Sequence, residues 1–584
     1  MTITPRLETT AGTPGSDLPA AEDGGRGVVT IPRVLLLAAL AVFFLTLPAI
    51  ITAQSNEFGL LFAGAPGLAV AVVLAVAAFC LAVRRGSILD TALAVAVYTL
   101  CFRLPVGLGA EMPLGSSTYK LLGVIDYITQ NGVVAAGVDI YNAWAGAFTG
   151  IAWFAEVSGI TPMQVAHWFP VVMEIAFAIA VYSLCRAFGQ PPIVALVGAF
   201  IAETVNWVGQ DYMSPQAIVI VLAIVVLALL VGSKDRPLLG WLSVPLFAAI
   251  TVTHQLTPYW LVGIAIVLGV TGHIRPRWLG IVFGAIAGAF LIANYGALTI
   301  YGLFSGMNPL QNAQMVVNGA SSAGLEFTGI AIKITSAALW GGALLATALR
   351  IRSAKALNGQ TWVALVLAFS SLALLLAQSY GGEAIFRVYL FSIAGCAVLM
   401  APLAYRVLRV VVPTPKRIFQ WVGSSLLVIF IALSALQSFY GGWFSLLVGK
   451  DSVTSMSQLL RSVEPPALIL SLAPIAPNRP VAEYADFARI NVLFDESLPI
   501  LHPEWAGREF PPDAAEQIAA EYGAAGDPVY LMVSQQTFDY NDFYRLYPPG
   551  AMERLVDDLR DSARWITVTD TSTLQLFELR PNTN

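Results

Sequence analysis

The residues that could do chemistry are concentrated in four short segments that interrupt long apolar runs. The first segment reads MPLGSSTYKLLGVIDYITQNGVVAAGVDIYNAWAG and carries Glu111, Lys120, Asp126 and Asp139. Charged groups beside a membrane are costly and usually mark a site or a pathway. These carboxylates are therefore candidates for accepting a proton, and the ammonium group is a candidate for binding an anion. Ordinary solvation of a loop explains each of them equally well.

The second segment, NWVGQDYMSPQ, places Asp211 between Gln210 and Tyr212. A carboxylate beside amide groups can bind sugar hydroxyls or a divalent cation such as Mg²⁺ or Mn²⁺. Ser214 and Pro215 form a good N-cap and first-turn pair, so the segment also predicts the start of a helix. The cap accounts for Ser214 but does not account for Asp211.

The third and fourth segments add side chains suited to a sugar and to a phosphate. THQLTPYW carries His254 and Gln255 beside aromatic residues, a combination typical of carbohydrate binding, although a lone His is more often a packed residue. SYGGEAIFRVYLF carries Glu383 and Arg387 four residues apart, which predicts an ion pair on one helix face. A guanidinium at the membrane boundary is also well shaped for a phosphate. Arg103, near the end of another apolar run, is a further candidate for that role.

The elements that must position these residues are membrane-spanning helices. Hydrophobic residues make up 57% of the 584-residue chain and charged residues 11%, against about 25% charged residues in soluble domains. So few charges cannot solvate the surface of several soluble domains, and the apolar runs reach about 20 residues, enough to cross a bilayer as a helix. The sequence predicts thirteen spans, near 33–53, 61–83, 88–107, 163–186, 191–208, 214–233, 237–252, 256–272, 278–297, 328–350, 361–379, 384–404 and 418–440.

The distribution of Lys and Arg predicts how these helices are oriented in the plasma membrane. Cytoplasmic loops retain basic residues, and a cytoplasmic N-terminus places most basic residues of the membrane part in inner loops. Residues 143–160 are then a short interfacial helix, because a span there would invert every later loop. The predicted domains are a disordered cytoplasmic tail (1–32), a transmembrane domain (33–448) with a large outer loop (108–162), and a soluble extracytoplasmic α/β domain (449–584).

The predicted extracytoplasmic domain alternates strands with helices, as α/β domains do. Residues 450–584 hold 20 acidic and 10 basic residues, so this domain offers no basic stripe for nucleic acid. The predicted strands are 466–474, 489–494, 528–534, 565–570 and 574–579. The predicted helices are 511–523 and 548–563, each with Pro at its start.

Taken in chain order, these segments resemble the GT-C superfamily of membrane glycosyltransferases, which includes the oligosaccharyltransferase catalytic subunits. The shared plan is a large first outer loop with an amphipathic helix, a second outer loop with an acidic motif, many spans and an external C-terminal domain. GVIDYITQNG resembles the first-loop helix, GQDYMSPQ stands at the place of the second-loop motif, and EAIFRVYLF resembles the late helix whose Arg contacts a lipid-linked phosphate. ETVNWVGQDY and THQLTP also resemble segments of a bacterial subgroup of this superfamily.

The resemblance implies a glycosyltransferase that moves a sugar from a polyprenyl-phosphate carrier to a glycan or lipid acceptor of the cell envelope, on the outer membrane face. It implies a carboxylate as general base, and cations or a bound metal that stabilise the departing phosphate. Relatives carry an acid before the first-loop helix, where this chain has Ser116. The candidates are Asp139, Asp126 and Glu111 for the base; Lys120, Arg387 and Arg103 for the phosphate; Asp211, Gln210, Tyr212, His254, Gln255 and Glu383 for the substrates; and Asp211 for a Mg²⁺ or Mn²⁺ ion.

Two alternative functions stay open at this point. A transporter or flippase of lipid-linked glycans would also need many spans, although transporters usually show internal repeats and place their charges near the membrane midplane. A catalytically inactive relative that binds glycan or holds a partner would explain Ser116. Acidity of the soluble domain argues against nucleic acid as a partner in all three cases.

Overall fold

The structure is a computed structural model that describes residues 30–296, 321–376 and 383–580. Its described part begins with seventeen helices that form the membrane domain and its outer loop. In chain order these are α1 (Ile31–Ile51), α2 (Pro66–Arg85), α3 (Ile88–Leu108), α4 (Ser117–Asn131), α5 (Ile140–Ala143), α6 (Gly146–Ser158), α7 (Pro162–Ala187), α8 (Pro192–Val205), α9 (Pro215–Gly232), α10 (Pro237–Thr253), α11 (Thr257–Val270), α12 (Leu279–Ala293), α13 (Ala323–Ala354), α14 (Gly359–Phe369), α15 (Ala384–Leu408), α16 (Pro415–Tyr440) and α17 (Trp443–Leu446).

Thirteen of these helices are apolar, and each coincides with one of the predicted spans. Within the described ranges nine are long and apolar enough to cross a membrane, α14 being counted with the 3₁₀ turn that continues it to Leu376. The four shorter ones are α8, α10, α11 and α12. The predicted polytopic helical membrane protein is therefore confirmed. The end of the predicted span 361–379 lies outside the described residues.

Glycine and polar residues end the helices and join adjacent helices to one another. Gly86 adopts a left-handed conformation (φ +75°) after α2, and the side chain of Ser87 caps α3 by accepting the backbone N–H of Asp90 at 3.2 Å. The carboxylate of Asp90 in turn pairs with Arg33 of α1 at 2.8 Å. These contacts close a three-helix unit, α1–α3, at one membrane face.

Helix α15 lies in the middle of the membrane domain. It packs against α8, α13 and α14, and most of its side chains are buried. Gly395 allows the closest approach, because a methyl group there would collide with the backbone of Leu367 and Ala368 in α14. A well-buried helix is a rigid support, so any side chain at its end is held in a defined place.

The predicted first outer loop contains the predicted amphipathic helix, α4, and a helix at the place of the predicted interfacial helix, α6. Helix α4 buries Tyr119, Val124 and Ile125 in a core shared with the C-terminal domain. Helix α6 buries Phe148 and exposes Trp153. The large apolar side chain on its outer face is consistent with a helix that lies at the membrane surface.

The C-terminal domain is a small four-stranded sheet covered by helices. Its strand order is β1-β2-β4-β3, with β1 parallel to β2 and the other neighbours antiparallel. The α/β prediction is confirmed, since four of the five predicted strands and both predicted helices are present. Its elements are α18 (Lys450–Ser462), β1 (Leu468–Ser471), α19 (Tyr484–Ile490), α20 (Leu498–Leu501), α21 (Ala514–Tyr522), β2 (Val529–Ser534), α22 (Gln535–Tyr544), α23 (Ala551–Asp561), β3 (Trp565–Asp570) and β4 (Leu574–Leu579).

The predicted strand at 489–494 is wrong. Its first residues finish α19, and the following turn folds back so that Phe494 packs on Phe487, with ring centroids 5.4 Å apart. Burial of these two rings on one side of a helix end outweighs the weak strand pattern of a six-residue run. Helix α22 was not predicted, because its sequence QQTFDYNDFY has a polar and aromatic composition without a clear helical period.

The C-terminal domain docks on the predicted outer loops of the membrane domain. The Asp126 carboxylate of α4 accepts the backbone N–H of Ala482 at 2.8 Å, and the Ser322 hydroxyl beside α13 donates to the Phe543 carbonyl at 2.6 Å. The predicted outer loops and the C-terminal domain therefore share one face of the molecule. Below we call it the domain face.

Candidate functional site

Arg387 lies on the first turn of α15, at the domain face. Its guanidinium forms the ion pair expected from the sequence, 3.1 Å from the Glu383 carboxylate. The Arg387 side chain is 15% exposed and the Glu383 side chain 51%, so the pair stands at the edge between the protein interior and water. A guanidinium in this position can exchange its carboxylate for a phosphate without leaving the membrane boundary.

Three ring side chains from three other loops lie within electrostatic reach of Arg387. They are Tyr141 in α5, Tyr212 between α8 and α9, and His254 between α10 and α11. Burial raises the pKa of both tyrosines, and the positive charge of Arg387 opposes that increase. We call Tyr141, Tyr212, His254, Glu383 and Arg387 the mouth cluster.

The imidazole of His254 has a defined tautomer. Its Nδ1 atom accepts the backbone N–H groups of Leu256 (3.2 Å) and Thr257 (3.3 Å), so the ring proton is on Nε2. Burial, together with the charge of Arg387, lowers the pKa of His254 to about 3. The ring is therefore neutral at physiological pH and offers one N–H donor to a ligand.

Asp139, the first candidate base, stands next to the mouth cluster. Its charge acts on Tyr141 and adds to the increase of the tyrosine's pKa that burial causes. One carboxylate oxygen accepts the backbone N–H and the side-chain amide of Asn142, at 3.0 and 2.9 Å. The other accepts the hydroxyl of Tyr484 at 3.0 Å. Asp139 thus caps α5 and binds the C-terminal domain through the same carboxylate.

The other candidates from the first loop lie further along the surface of α4. One oxygen of Asp126 accepts both the Ala482 N–H and the Gln130 amide, at 2.8 and 3.0 Å. Glu111 is exposed between α3 and α4, and Lys120 is half-buried on the first turn of α4. Among the described residues, no hydrogen bond or ion pair links Asp126, Glu111 or Lys120 to the mouth cluster. Their roles stay predictions.

A second charged group of residues is buried inside the membrane domain, and we call it the Arg103 cluster. The guanidinium of Arg103 is 3.0 Å from the Asp211 carboxylate and 3.2 Å from that of Glu174. It also donates to the carbonyl oxygen of Asn206 at 2.6 Å, and the amide of Asn206 donates to Glu174 at 2.8 Å. Glu203, which completes the cluster, accepts the Thr99 hydroxyl at 3.1 Å.

The Arg103 cluster fixes the loop that carries Asp211 and Tyr212. Arg103 is 1% exposed, and its partners are buried as well. A charge this deep is stable only when paired and hydrogen-bonded, so the loop cannot leave without breaking the network. The adjacent residue, Tyr212, is thereby held in the mouth cluster. Sequence reasoning missed Glu174 and Glu203, although an acid within each of the apolar runs VVMEIAF and IAETVNW was a signal.

The surroundings of Asp211 do not favour a divalent cation. Burial raises the pKa of Asp211, and the guanidinium of Arg103 opposes that increase. The same positive group lies 3.0 Å from the carboxylate, where it would repel a metal ion. Across residues 30–296, 321–376 and 383–580, no group of three His, Cys, Asp or Glu side chains has the spacing to hold a metal. With the Arg103 guanidinium at 3.0 Å, the Asp211 carboxylate does not fit Mg²⁺ or Mn²⁺.

Three glutamines supply amide groups near the two clusters. Gln210 lines a cavity of about 10 Å³ together with Glu174 and Asp211, which is room for about one water molecule. Gln255 is half-buried beside His254. Gln216, on the first turn of α9, is 4% exposed, and neither atom of its amide has a hydrogen-bond partner among the described residues. A buried amide without partners is costly unless a ligand supplies them.

No protein-family model and no curated protein sequence matches the chain. Solved structures that are similar to it include the following three. Two are ArnT from Cupriavidus metallidurans, bound to undecaprenyl phosphate (10% identity, TM-score 0.43) and in the apo state (9%, 0.44), each covering 84% of this chain and 97% of that chain. The third is the arabinofuranosyltransferase AftD from Mycobacteria (14%, 0.44), covering 84% of this chain and 40% of that chain.

The likeness to these structures concerns the fold alone. The side chains of this chain determine what its candidate site can do.

Proposed function

We propose that the protein is a glycosyltransferase that moves a sugar from a polyprenyl-phosphate carrier to a glycan or lipid acceptor of the cell envelope, at its domain face. The observation that carries the proposal is the mouth cluster. A guanidinium, a carboxylate, two phenols and a neutral imidazole come from four separate segments and meet at the membrane boundary. A lipid-linked sugar phosphate presents its phosphate and its sugar at this depth.

Arg387 is the proposed phosphate-binding residue. The carrier phosphate gains negative charge when the bond between its oxygen and the anomeric carbon breaks, and a fixed guanidinium stabilises that charge. Glu383 holds Arg387 in place before the substrate arrives, at 3.1 Å. Lys120 and Arg103 remain secondary candidates, and Arg103 already binds Asp211 and Glu174.

Asp139 is the proposed base. In the reaction, the acceptor hydroxyl gives its proton to a carboxylate while its oxygen bonds to the anomeric carbon, and the electron pair of the broken bond leaves with the phosphate. The charges of Asp139 and Arg387 both act on the Tyr141 phenol, which supports a base and a phosphate site in the same region. Asp126 and Glu111 are the alternatives for this role.

The hydroxyl groups of the sugar and of the acceptor need hydrogen-bond partners, which the amides and the imidazole provide. His254 offers its Nε2–H, because Nδ1 already accepts two backbone N–H groups. Gln216 offers an amide that is buried and without a partner among the described residues. Gln210, Gln255 and Tyr212 lie in the same loops. Neutral groups of this kind suit uncharged hydroxyls, for which a charged partner is not needed.

Transfer from radiolabelled polyprenyl-phosphate sugars in membranes tests the proposal. We expect Arg387→Gln to lower the transfer rate by about 10²–10³-fold, as loss of a donor to developing charge does, and Arg387→Lys to retain part of it. The matched control is Arg352→Gln, an exposed arginine in the last turn of α13, far from the mouth cluster along the membrane normal. Unchanged transfer by Arg387→Gln at equal protein level would refute the phosphate site. A wild-type chain that binds the carrier lipids but transfers from no donor would favour transport or a scaffold.

A further inference from the structure

A polar cavity lies at the face of the membrane domain opposite the domain face. Its volume is about 380 Å³, which is in the range of small-molecule sites. It lies between the turn that joins α7 to α8 and the segment that joins α13 to α14. Its polar lining is formed by Gln190, Arg350, Ser353, Asn358, Gln360 and Thr361.

The charge around this cavity is positive and not neutralised. Arg350 is half-buried in its wall, and the charge of Arg406, on the inner end of α15, acts on it repulsively. Neither arginine has an ion-pair partner among the described residues. The described loops and first helix turns of this face contain two carboxylates, Asp90, which Arg33 already binds, and Asp235. Two like charges held close together are stabilised by an anion.

Gln190 gives a second and independent sign of a ligand. Its side chain is 8% exposed and lines the cavity, and its amide nitrogen donates to the Val398 carbonyl at 2.8 Å. Its amide oxygen has no hydrogen-bond partner within the described chain. Arg186 holds the turn by donating to the Gln190 backbone carbonyl at 2.6 Å, so the amide is fixed in place. A buried acceptor without a donor needs an O–H or N–H group from outside.

Helix α14 begins at the same cavity. Asn358 caps the helix by accepting the backbone N–H of Thr361 at 2.8 Å, and both residues line the cavity together with Gln360. The N-terminus of a helix carries a partial positive charge and attracts anions, phosphates above all. The helix end, Arg350 and the amide oxygen of Gln190 thus describe one ligand, a phosphate ester with a hydroxyl group beside it.

We propose that this cavity binds the headgroup of an anionic glycerophospholipid, with Arg350 at the phosphate and the Gln190 amide oxygen accepting a headgroup hydroxyl. The cavity lies at helix ends, where headgroups of the adjoining leaflet are found. Basic pockets between membrane helices are known to bind such headgroups. A soluble phosphate ester has the same chemistry, and the experiment must separate the two sources.

Binding to the full-length protein in nanodiscs tests the proposal, with phosphatidylglycerol titrated into phosphatidylcholine. We expect wild type and Arg352→Gln to prefer phosphatidylglycerol, Arg350→Gln to bind it about tenfold more weakly, and Arg350→Lys to recover part of the affinity. Arg352 is the matched control, because it lies two residues along the same helix and does not line the cavity. Equal binding by Arg350→Gln and wild type overturns the proposal.

A second variant keeps the test decisive if Arg350→Gln does not fold. Gln190→Met keeps the length of the side chain and removes its acceptor. We expect wild type to bind phosphatidylglycerol more tightly than phosphatidic acid, which has no headgroup hydroxyl, and this variant to lose that difference in affinity. An unchanged difference overturns the role of Gln190. Glycerol 3-phosphate is the soluble probe. It should compete only weakly, and displacement of the lipid by equimolar probe would assign the cavity to a soluble ester and overturn the lipid source.

Discussion

The neutral state of His254 makes the stability of the protein depend on pH. Its pKa is about 3 in the folded chain against 6.5 when unperturbed, so below neutral pH the unfolded chain gains a proton that the folded chain does not. We expect the unfolding temperature to fall as the pH drops from about 7 towards about 4. His254→Asn keeps an acceptor for the Leu256 and Thr257 N–H groups and does not titrate, so its unfolding temperature should fall less steeply.

Thermal unfolding of both proteins in the same detergent, over the same pH series, measures this difference. Carboxylates elsewhere titrate in both proteins, so the difference between the two slopes reports on His254 alone. Parallel curves would show that this imidazole does not contribute.

The sequence indicates which single residues belong to the candidate site, but it does not indicate which residues contact one another there. Tyr212, His254, Glu383 and Arg387 were identified because polar side chains at the ends of apolar runs are costly and thus informative. Their convergence is a property of helix packing, which spacing along the chain does not contain. Glu174 was missed for the opposite reason, since it lies in the middle of a run and its counter-charge, Arg103, is on another helix.

At the scale of elements, α4 is held against the C-terminal domain by a close backbone approach. A methyl group at Gly123 would collide with the carbonyl oxygen of Arg479. We expect Gly123→Ala to lower the free energy of unfolding by about 1–3 kcal/mol, the usual effect of overpacking, and to expose the domain to protease. Gly150→Ala in α6 is the matched control, because nothing lies within 4 Å of the added methyl group.

Limited proteolysis and thermal unfolding of the two variants check this prediction. Gly150→Ala should be neutral or stabilising by about 0.5–1 kcal/mol, because alanine favours a helix more than glycine does. Equal behaviour of the two variants would contradict the proposed close approach of α4 and the C-terminal domain.

Helices were predicted better than strands because the membrane imposes a simple rule. Each spanning helix must satisfy its backbone internally and present apolar side chains throughout, so the apolar runs marked the thirteen apolar helices of the described residues. In the soluble domain the rule is weaker. The run RINVLF alternates like a strand, yet the packing of Phe487 on Phe494 makes it a helix end and a turn.

At the scale of the whole molecule, the bond between Asp139 and Tyr484 joins the proposed base to the C-terminal domain. If Asp139 accepts the acceptor proton, Asp139→Asn should lower the transfer rate by about 10²–10⁴-fold. Tyr484→Phe removes one hydrogen bond to the same carboxylate and should keep most of the activity. Sugar transfer and protease resistance, measured together, separate catalysis from docking.

A matched Tyr→Phe control is available within the C-terminal domain. The Tyr530 hydroxyl donates to Glu578 on the neighbouring strand at 3.2 Å and not to a carboxylate of the first loop, so Tyr530→Phe should leave transfer unchanged. Equal losses of activity and of protease resistance in Asp139→Asn and Tyr484→Phe would show that the carboxylate only holds the domain in place. Asp126 would then be the next residue to test as base.

The contacts that complete the first outer loop also set an order for biogenesis. Asp126 and Asp139 find their partners 356 and 345 residues later in the chain. A ribosome makes the loop long before it makes Ala482 and Tyr484, so until the C-terminal domain has folded the two carboxylates have only their partners within the loop, Gln130 and Asn142. The candidate site is therefore completed only after the C-terminal domain has been made, and a chain truncated before Ala482 would insert its helices without completing it.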